Sequence, residues 1–253
     1  MAFLIVGKPS EPTCSAIVAA ACELGLEAAA LEPSRLSRSA RVGDVVLGRL
    51  SVRESLAGVE RGLDELSRAV ARGIFVLNPP AGILAASDKL ATALRLARAG
   101  VPHPRTALVG GGTLPAVGFP AVVKPRFGVG SAGVTRCDDA EDLERHLDGL
   151  RRERWYRRYG AVLQELVPVE RELRLVVAGG RVAGGAEGEP VEATRLALAA
   201  AAATETDVVA VDLVEHGGTL VVLDLDPAPV LDDARPVVGA LFQDVAPALP
   251  RIA

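Results

Sequence analysis

The sequence predicts a mixed α/β protein that begins with a small parallel sheet, and three observations lead to this prediction. Over residues 3–77, short apolar runs alternate with segments of helical periodicity, which is the pattern of βαβ units. Asn78-Pro79-Pro80 then interrupts the alternation and marks the start of a new unit. The chain has 253 residues, 49% of them hydrophobic, which is enough to bury one or two cores.

The first unit combines predicted strands with two predicted helices. The strands are predicted over residues 3–6, 27–31, 44–47 and 74–77, and the helices over residues 13–27, ending near Gly25, and 54–72. The apolar N-terminus is short and lacks a basic leader, so we expect a first strand rather than a signal peptide. Lys8 and Arg49 each follow a strand and could face the ligand crevice of a parallel sheet. The alternative, preferred for Arg49, is an ordinary surface charge.

The second unit opens with a predicted helix over residues 86–99. Ser87 or Asp88 can cap its N-terminus, and Gly100 follows its end at the expected place. Lys89 lies in the first turn, where a cation is unfavourable against the helix dipole. This cost favours a functional reason for Lys89, although a misplaced lysine is also common.

The stretch Gly118–Val134 is central to the interpretation of the chain. An apolar run over residues 121–123 leads to Lys124 and then to a glycine-rich segment. A lysine supplies a point charge for phosphate, and glycines let backbone N–H groups approach the phosphate oxygens. Because the lysine precedes the glycines, the segment differs from the GxxxxGK[ST] loop and from GxGxxG. A β-hairpin with a glycine turn is the competing interpretation.

Lysine is scarce in this chain. Of the 28 basic residues only three are lysines, Lys8, Lys89 and Lys124. Where arginine has replaced lysine almost everywhere, a retained lysine indicates a need for a compact, strongly hydrated ammonium group. Chance survival is the alternative explanation.

The rest of the chain contains further predicted helices and strands. A charged helix is predicted over residues 140–152, and the arginine-rich segment 151–158 surrounds Trp155. This segment could bind a polyanion, but a helix end with arginines stacked on Trp155 is the preferred interpretation. Beyond it, strands are predicted over 161–167, 172–178, 181–184, 208–213 and 220–225, and helices over 192–204 and 235–249.

Three aspartates lie at the ends of two late strands. Asp224 and Asp226 flank Leu225, so both point to the same face of their strand, and Asp212 ends the preceding strand. If the two strands pair as a hairpin, the three carboxylates lie near one another. Hard oxygen ligands suit Mg²⁺, and clustered like charges are costly without a counter-ion. An exposed sheet end with unrelated aspartates is the alternative.

These features together resemble the ATP-grasp superfamily, and more closely its RimK-like carboxylate–amine ligases. The resemblance lies in Lys89 at a helix start, Lys124 before a glycine stretch, the segment 164–167 and the late aspartates, and it covers nearly the whole chain from Phe3 onward. It implies an ATP-grasp fold in which an N-terminal parallel α/β domain precedes two α+β subdomains that clamp ATP. The implied boundaries are residues 1–78, 79–162 and 163–253.

The resemblance also implies a role for each matching residue. Lysines would contact the phosphates, the glycine stretch would form a mobile lid, backbone groups would contact adenine, and an acid would bind the ribose. The implied ATP-binding residues are Lys89, Lys124, Gly128, Gly130, Ser131, Gly133, Gln164, Glu165, Val167 and Glu172. Arg174 and Lys124 would act on the phosphoryl group. Asp212, Asp224 and Asp226 would hold Mg²⁺, with Mn²⁺ as an alternative.

The implied reaction joins a carboxylate to an amine through an acyl phosphate and releases ADP and phosphate. The expected substrates are small-molecule or peptide carboxylates and amines, with Arg49, Lys8, Asn78 and His216 as candidate contacts. A homodimer or homotetramer is expected from the family. The net charge of −4 without a broad basic excess, and the absence of a long apolar run, argue against nucleic-acid and membrane partners. Three scattered cysteines favour a reducing cytoplasm and argue against structural zinc.

Two departures from the family pattern support a different function. The family's metal site usually ends Glu-x-Asn, whereas this chain has Asp224-Leu225-Asp226. The family also tends to carry basic residues after the Gly-Gly hairpin, where this chain has acidic ones at residues 185–189. A degenerate ATP-grasp protein that binds nucleotide without ligase activity is therefore the second hypothesis. An α/β binding protein that takes no nucleotide is the third.

Overall fold

The computed structural model describes residues 1–109, 117–128, 130–185 and 188–243. It contains a parallel sheet in the first unit and two antiparallel sheets in the rest of the chain, which confirms the predicted mixed α/β class. Of the segments discussed above, Val129, residues 186–187 and the end of the predicted C-terminal helix lie outside the described residues.

The first unit is a four-stranded parallel sheet with the order β2-β1-β3-β4. Its elements are β1 (Ala2–Val6), α1 (Pro12–Glu23), β2 (Glu27–Leu31), a 3-10 turn (Pro33–Arg35), α2 (Leu36–Ser39), β3 (Val45–Gly48), α3 (Leu63–Ala71) and β4 (Phe75–Leu77). All four predicted strands are present within one residue of their predicted limits.

The predicted helix over residues 54–72 is wrong in its first half, because α3 begins only at Leu63. Residues 51–60, here called the 51–60 loop, instead fold back on themselves, and Val52 pairs with Val59 in an isolated antiparallel bridge. Leu56, Gly58 and Gly62 have φ angles of 56°, 84° and 135°. Helical residues need φ near −63°, so these positions exclude a helix until Gly62 has been passed.

The second unit begins with two helices, α4 (Pro80–Ser87) and α5 (Lys89–Arg98), where the sequence predicted one. Asp88 separates them, and its carboxylate accepts hydrogen bonds from the backbone N–H groups of Leu90 and Ala91. This confirms the predicted cap, which satisfies two amide groups at the start of α5. The helix α4 was missed because Pro79-Pro80 was interpreted only as a break, although proline is also favoured in a first helical turn.

A four-stranded antiparallel sheet with the order β5-β8-β6-β7 follows. Its strands are β5 (Thr106–Val109), β6 (Ala121–Pro125), β7 (Thr135–Cys137) and β8 (Ala161–Glu165), and the helices α6 (Ala140–Leu150) and α7 (Arg154–Tyr159) lie between β7 and β8. The glycine stretch connects β6 to β7, which pair antiparallel, so the hairpin geometry is confirmed. Such a hairpin can also carry phosphate-binding groups.

Trp155 is buried rather than covered by arginines. It is 7% exposed and lies in the same core cluster as Leu143 and Leu147. The stacked arginine is Arg158, whose guanidinium lies 5.1 Å from the ring centroid of Tyr159. The prediction of arginines on Trp155 was therefore wrong, because the indole ring fills the core on the inner face of α7 and the arginines lie on the outer face.

The last unit is a second antiparallel sheet with the order β10-β9-β11-β12. It comprises β9 (Arg171–Ala178), β10 (Arg181–Gly184), α8 (Val191–Thr204), β11 (Val208–His216), β12 (Thr219–Asp226) and α9 (Arg235–Phe242). The expected hairpin between β11 and β12 is confirmed, with Gly217 and Gly218 in its turn at positive φ. One face of this sheet packs on α8 and the other bears the charged residues.

The first and last units share a core. Phe3 and Ile17 belong to the same buried cluster as Val208 and Phe242, and the rings of Phe3 and Phe242 lie edge to face at 4.9 Å. A shared apolar core resists relative movement of the two units. The parallel sheet is thereby held beside the charged face of the last sheet.

Arg49 and Asn78 join these units and are not substrate contacts. Arg49 is 1% exposed, forms a 2.7 Å ion pair with Glu11 and donates to the carbonyl of Pro229 at 2.7 Å. The surface-charge alternative for Arg49 was therefore wrong. Asn78 is fully buried: its side-chain NH₂ donates to the carbonyl of Val208 at 2.8 Å, and its side-chain oxygen accepts from the backbone N–H of Val208 at 2.9 Å.

Replacing Asn78 by alanine is expected to destabilise the protein by about 3 kcal/mol or more, because the backbone groups of Asp207, Val208 and Pro227 that it contacts would lose a buried hydrogen-bond partner. The free energy of unfolding, measured by urea denaturation, tests this. Ser67→Ala on the exposed face of α3 is the control and should change it by less than about 0.5 kcal/mol. An Asn78→Ala protein as stable as the control would show that the junction does not depend on this side chain.

Candidate functional site

A cleft of about 840 Å³ lies between the glycine stretch after β6 and the charged face of the last sheet. The central unit contributes Lys124 and the glycine stretch, and the last sheet contributes charged side chains from three strands. The predicted site residues that line this cleft are Lys124, Gly128, Gly130, Ser131, Glu172, Arg174, Asp212, Asp224 and Asp226. The fold therefore brings together two segments that are about 40 residues or more apart in the sequence.

Lys124 points into the cleft because of the alternation of β6. The neighbouring residues Val123 and Pro125 lie on the opposite face of the strand and are buried, whereas Lys124 is half-buried. Its ammonium donates a 2.6 Å hydrogen bond to the side-chain oxygen of Gln164, which in turn donates to Thr106 at 3.0 Å. Burial and the nearby charge of Lys89 lower the pKa of Lys124, and Asp224 opposes the shift. A partly desolvated ammonium gains more from a bound anion than an exposed one would.

Lys89 reaches Asp224 from the start of α5. Its side chain is 7% exposed, and its ammonium forms an ion pair with Asp224. Its backbone N–H donates to the carbonyl of Arg126 at 2.9 Å, which ties the start of α5 to the end of β6. Lys89 and Gln164 line a narrow pocket that shares Asp224 and Leu223 with the larger cleft. Lys89 therefore contacts Asp224 directly, and Lys124 lies close enough for the charge of Asp224 to oppose the lowering of its pKa.

The charged face of the last sheet follows from its register. Asp212 on β11 lies directly opposite Arg174 on β9 and Asp224 on β12. Leu173 and Leu175 are buried on the other face, as the alternation of side chains along a strand requires. The pairing of β11 with β12 shifts by one residue after Asp212, so Leu223 has no partner across the hairpin. This bulge keeps the acidic ends of both strands on one face.

Arg174 lies at the centre of the acidic group. Its guanidinium donates to both oxygens of Asp212, at 2.7 and 2.9 Å, and to Asp226 at 2.9 Å. Burial raises the pKa of Asp212, and Arg174 opposes this shift. The pKa of Arg174 is raised by Asp212 and Asp226 against the effect of its own burial. The arginine thus acts as the counter-ion that allows the carboxylates to lie close together.

The three aspartates are adjacent but do not form a ready metal site. Among the described residues, no group of three or more acidic, histidine or cysteine side chains is arranged to hold a metal ion. The reason is that Asp212 and Asp226 face Arg174 while Asp224 faces Lys89. The chemistry of the donors nevertheless fits Mg²⁺, which prefers carboxylate oxygens.

Some predicted nucleotide contacts lie beside the cleft. Glu165 and Val167 are not among the described residues that line it. Glu165 forms an ion pair with Arg105 at 3.3 Å, and its backbone N–H donates to the carbonyl of Arg105 at 2.9 Å. Gly133 packs tightly against Pro125, since an added Cβ would lie 2.9 Å from the Pro125 ring. Its φ of 71° also favours glycine. His216, a candidate substrate contact, pairs with Glu170 at 3.2 Å on the exposed end of β11.

Two residues of this region, Arg126 and Ser87, were not identified as site residues from the sequence. Arg126 pairs with Asp88, so the carboxylate that caps α5 also fixes β6 against that helix. Ser87 lines the cleft, and its buried hydroxyl has no hydrogen-bond partner among the described residues. A possible signal for Arg126 was its position two residues after Lys124, on the same side of the chain.

One curated protein and several solved structures are similar to this chain. No family model matches the chain. It is 30% identical over 182 residues to the tetrahydromethanopterin:alpha-L-glutamate ligase of Methanosarcina acetivorans. This match covers 64% of the chain and 55% of the relative, so the chain spans about half the length of the curated relative.

Solved structures match over almost the whole chain. A RimK domain ATP-grasp protein from Sphaerobacter thermophilus superposes with a TM-score of 0.72 at 21% identity, covering 96% of this chain and 100% of that one. D-alanine–D-alanine ligase from Bacillus anthracis, solved in complex with ATP, superposes with a TM-score of 0.68 at 16% identity, covering 98% and 99%. No helix in the described ranges is both long enough and apolar enough to cross a membrane.

Proposed function

Because the chain has the ATP-grasp fold, we propose that it is an ATP- and Mg²⁺-dependent ligase that joins a carboxylate to an amine. The observation that supports this most strongly is the cleft in which Lys124 and Lys89 approach Asp224 from one side and Arg174 lies among carboxylates on the other. Cations positioned opposite carboxylates suit a triphosphate with its divalent ion.

The phosphates of ATP occupy the space between Lys124, Lys89 and the glycine stretch in this proposal. Gly128 and Gly130 leave the backbone open to phosphate oxygens, and Ser87 offers a buried hydroxyl without a partner. The remaining assigned contacts to ATP, at Ser131, Gly133, Gln164, Glu165, Val167 and Glu172, follow the family resemblance and stay predictions. ATP binding to the relative from Bacillus anthracis supports the same ligand here.

The proposed reaction has two steps. A carboxylate oxygen of the substrate attacks the γ-phosphorus of ATP, and the bond to the β-phosphate oxygen breaks to release ADP. The amine then attacks the acyl carbon, inorganic phosphate leaves, and the amine loses a proton. Arg174 and Lys124 stabilise the negative charge on the phosphoryl oxygens, and their fixed positions reduce the cost of aligning the reactants.

The metal ion is proposed to be held by Asp212, Asp224 and Asp226. When bound, Mg²⁺ neutralises phosphate charge, and Mn²⁺ can replace it. The carboxylates are engaged by Lys89 and Arg174, so these cations must turn towards the phosphates as the metal binds. Nucleotide and metal are therefore expected to bind together rather than separately.

The substrates are proposed to be a small-molecule or peptide carboxylate and an amine. The name of the curated relative pairs a pterin derivative with L-glutamate, which supports an amino acid as one substrate class for this chain. A homodimer or homotetramer and a cytoplasmic location stay predictions from the family and the composition.

The second candidate function is nucleotide binding without ligation. It is favoured by one observation, namely that each of the three aspartates is already engaged by a cation. If these ion pairs persist with ATP bound, no metal ion is held and no phosphoryl transfer follows.

Release of ADP separates these functions. The protein is incubated with Mg²⁺-ATP and with pools of carboxylates and amines, together and separately, and ADP is measured. A ligase is expected to release ADP in the presence of both pools and to form an amide detectable by mass spectrometry. Binding of ATP without turnover in any pool supports the second function, and a lack of ATP binding contradicts both.

Replacing Asp224 by asparagine is expected to weaken Mn²⁺ binding in the presence of a non-hydrolysable ATP analogue by roughly 10- to 100-fold. The reason is the loss of a charged oxygen ligand between two lysines. Electron paramagnetic resonance of free Mn²⁺ measures the affinity. Asp64→Asn on the exposed side of α3 is the control, and equal Mn²⁺ affinity in both variants would remove Asp224 from the metal site.

A further inference from the structure

A second cleft, of about 930 Å³, adjoins the nucleotide cleft. The two clefts share Ser51 and Val52 of the 51–60 loop. Ala132, from the glycine stretch, also lines the second cleft. A molecule in this cleft would therefore lie next to the proposed ATP site and under the same loop.

The second cleft lies where the parallel sheet changes direction. The order β2-β1-β3-β4 places β1 next to β3, and the chain leaves these two strands towards opposite sides of the sheet. Ligands of open α/β sheets bind at this switch point, outside the carboxyl ends of the strands. Lys8 follows β1 and the 51–60 loop follows β3, and both line the cleft. Gly7 allows the two connections to approach each other closely, since a Cβ there would lie 2.5 Å from the carbonyl oxygen of Arg49.

The second cleft is lined by charged side chains of both signs. Lys8 and Arg53 line it, and within the described ranges neither side chain has an ion pair. Two of its three glutamates are engaged: Glu11 pairs with Arg49 at 2.7 Å, and Glu60 accepts from the backbone N–H of Ser51 at 3.1 Å.

Glu54 is the third glutamate of the lining. Together with Glu60, whose hydrogen bond from a backbone N–H leaves its negative charge in place, it balances Lys8 and Arg53, so this lining carries no net charge. Lys8 and Arg53 are still the two cations of the lining that have no ion-pair partner within the described ranges. The lining also includes the hydroxyl groups of Ser10, Ser51 and Ser55. Cations and hydroxyl groups at the end of a parallel sheet suit an anionic oxygen group.

The distribution of lysine supports the same conclusion independently. The chain has only three lysines among 28 basic residues. Two of them lie at the proposed ATP site, where Lys89 pairs with Asp224 and Lys124 lines the same cleft as that aspartate. The third, Lys8, lines the second cleft. In a chain that uses arginine almost everywhere else, Lys124 lines the nucleotide cleft, Lys89 lines the narrow pocket beside it, and Lys8 lines the second cleft.

We propose that the second cleft binds an anionic group of the substrate through Lys8 and Arg53, separate from the carboxylate that reacts with ATP. The substrate is then an acid with at least two negative groups, and the second group is a carboxylate or a phosphate. This inference rests on the proposed function, since the reacting carboxylate lies at the ATP site. Lys8 and Arg53 determine which acids are accepted and take no part in the chemistry.

Binding of defined acids to the full chain tests the proposal. Isothermal titration calorimetry is performed on protein saturated with Mg²⁺ and a non-hydrolysable ATP analogue. Glutarate represents a dicarboxylate, 2-phosphoglycolate a phosphorylated acid, and butyrate a monocarboxylate. At least one of the two dianions is expected to bind roughly tenfold more tightly than butyrate, which is the gain from one charge-assisted contact. The tighter dianion identifies the second group as carboxylate or phosphate.

Lys8→Ala and Arg53→Ala are each expected to reduce dianion affinity roughly tenfold and to leave butyrate affinity unchanged. Arg98→Ala, in the last turn of α5 and away from both clefts, is the control. The proposal is overturned if neither dianion binds more tightly than butyrate, or if both variants bind the dianions like the control. Affinity for the ATP analogue is measured in the same samples, so failure of the proposed function is recognised separately by loss of that binding in the unaltered protein.

Discussion

Replacing Lys124 by alanine is expected to weaken ATP binding by about 100-fold or more, because a half-buried ammonium facing the phosphates would be lost. Lys124 lines the proposed ATP cleft, is positioned by Gln164 at 2.6 Å and has a pKa lowered by its burial. Such a group contributes a strong charge interaction from a fixed position. Calorimetric titration with Mg²⁺-ATP measures the effect.

Lys8→Ala is the matched control for this experiment. It removes the third lysine of the chain from the adjoining cleft and should leave ATP affinity within about twofold, since Lys8 is not among the described residues that line the ATP cleft. A normal thermal unfolding curve for Lys124→Ala shows that the fold is kept. Unchanged ATP affinity in a folded Lys124→Ala protein would contradict the assignment of the ATP site.

The pH dependence of ATP affinity provides a further test of Lys124. Its pKa is lowered from 10.5 by burial, so the ammonium loses its proton at a lower pH than an exposed lysine. Affinity for Mg²⁺-ATP is therefore expected to fall as the pH rises towards that lowered value. Lys124→Arg, which stays charged, should abolish this fall. A pH profile shared by both proteins would assign the fall to another group.

Replacing Arg174 by alanine is expected to reduce turnover by about 10²- to 10³-fold while ATP still binds, the magnitude typical of a single group that stabilises charge in the transition state. Arg174 faces Asp212 and Asp226 across three strands and is the central cation of the acidic face. Its loss leaves the carboxylates without their counter-ion. The rate of ADP release at saturating ATP measures the effect.

Two comparisons make the Arg174 experiment specific. Arg171→Ala removes an arginine from the same strand that pairs with Glu189. It should change turnover by less than about twofold, because Arg171 does not line the ATP cleft among the described residues. Mn²⁺ affinity without nucleotide is expected to rise in Arg174→Ala, since Asp212 and Asp226 become free to bind it. Equal turnover in both arginine variants would exclude a catalytic role for Arg174.

Burial distinguished residues that the sequence could not distinguish. Lys8 and Arg49 both follow strands of the first sheet and were both candidates for ligand contacts, although a surface charge was the preferred interpretation of Arg49. The structure buries Arg49 in an ion pair with Glu11 and leaves Lys8 exposed in the second cleft. The difference depends on the segment near Pro229, which packs against Arg49 from the far end of the chain. A local pattern contains no information about such a distant partner.

Local sequence patterns were sufficient to predict those features that depend only on residues close together in the chain. The sequence by itself determined the strands of the parallel sheet, the cap at Asp88 and the common face of Asp224 and Asp226, because alternation and capping depend on neighbours within a few residues. It could not show that residues 54–62 leave the helix, since Gly58 and Gly62 act through positive φ angles that tertiary contacts impose. Only the tertiary structure decided that Lys89, Lys124 and Arg174 meet the three aspartates, because that meeting depends on a strand register and a shared core between segments far apart in the chain.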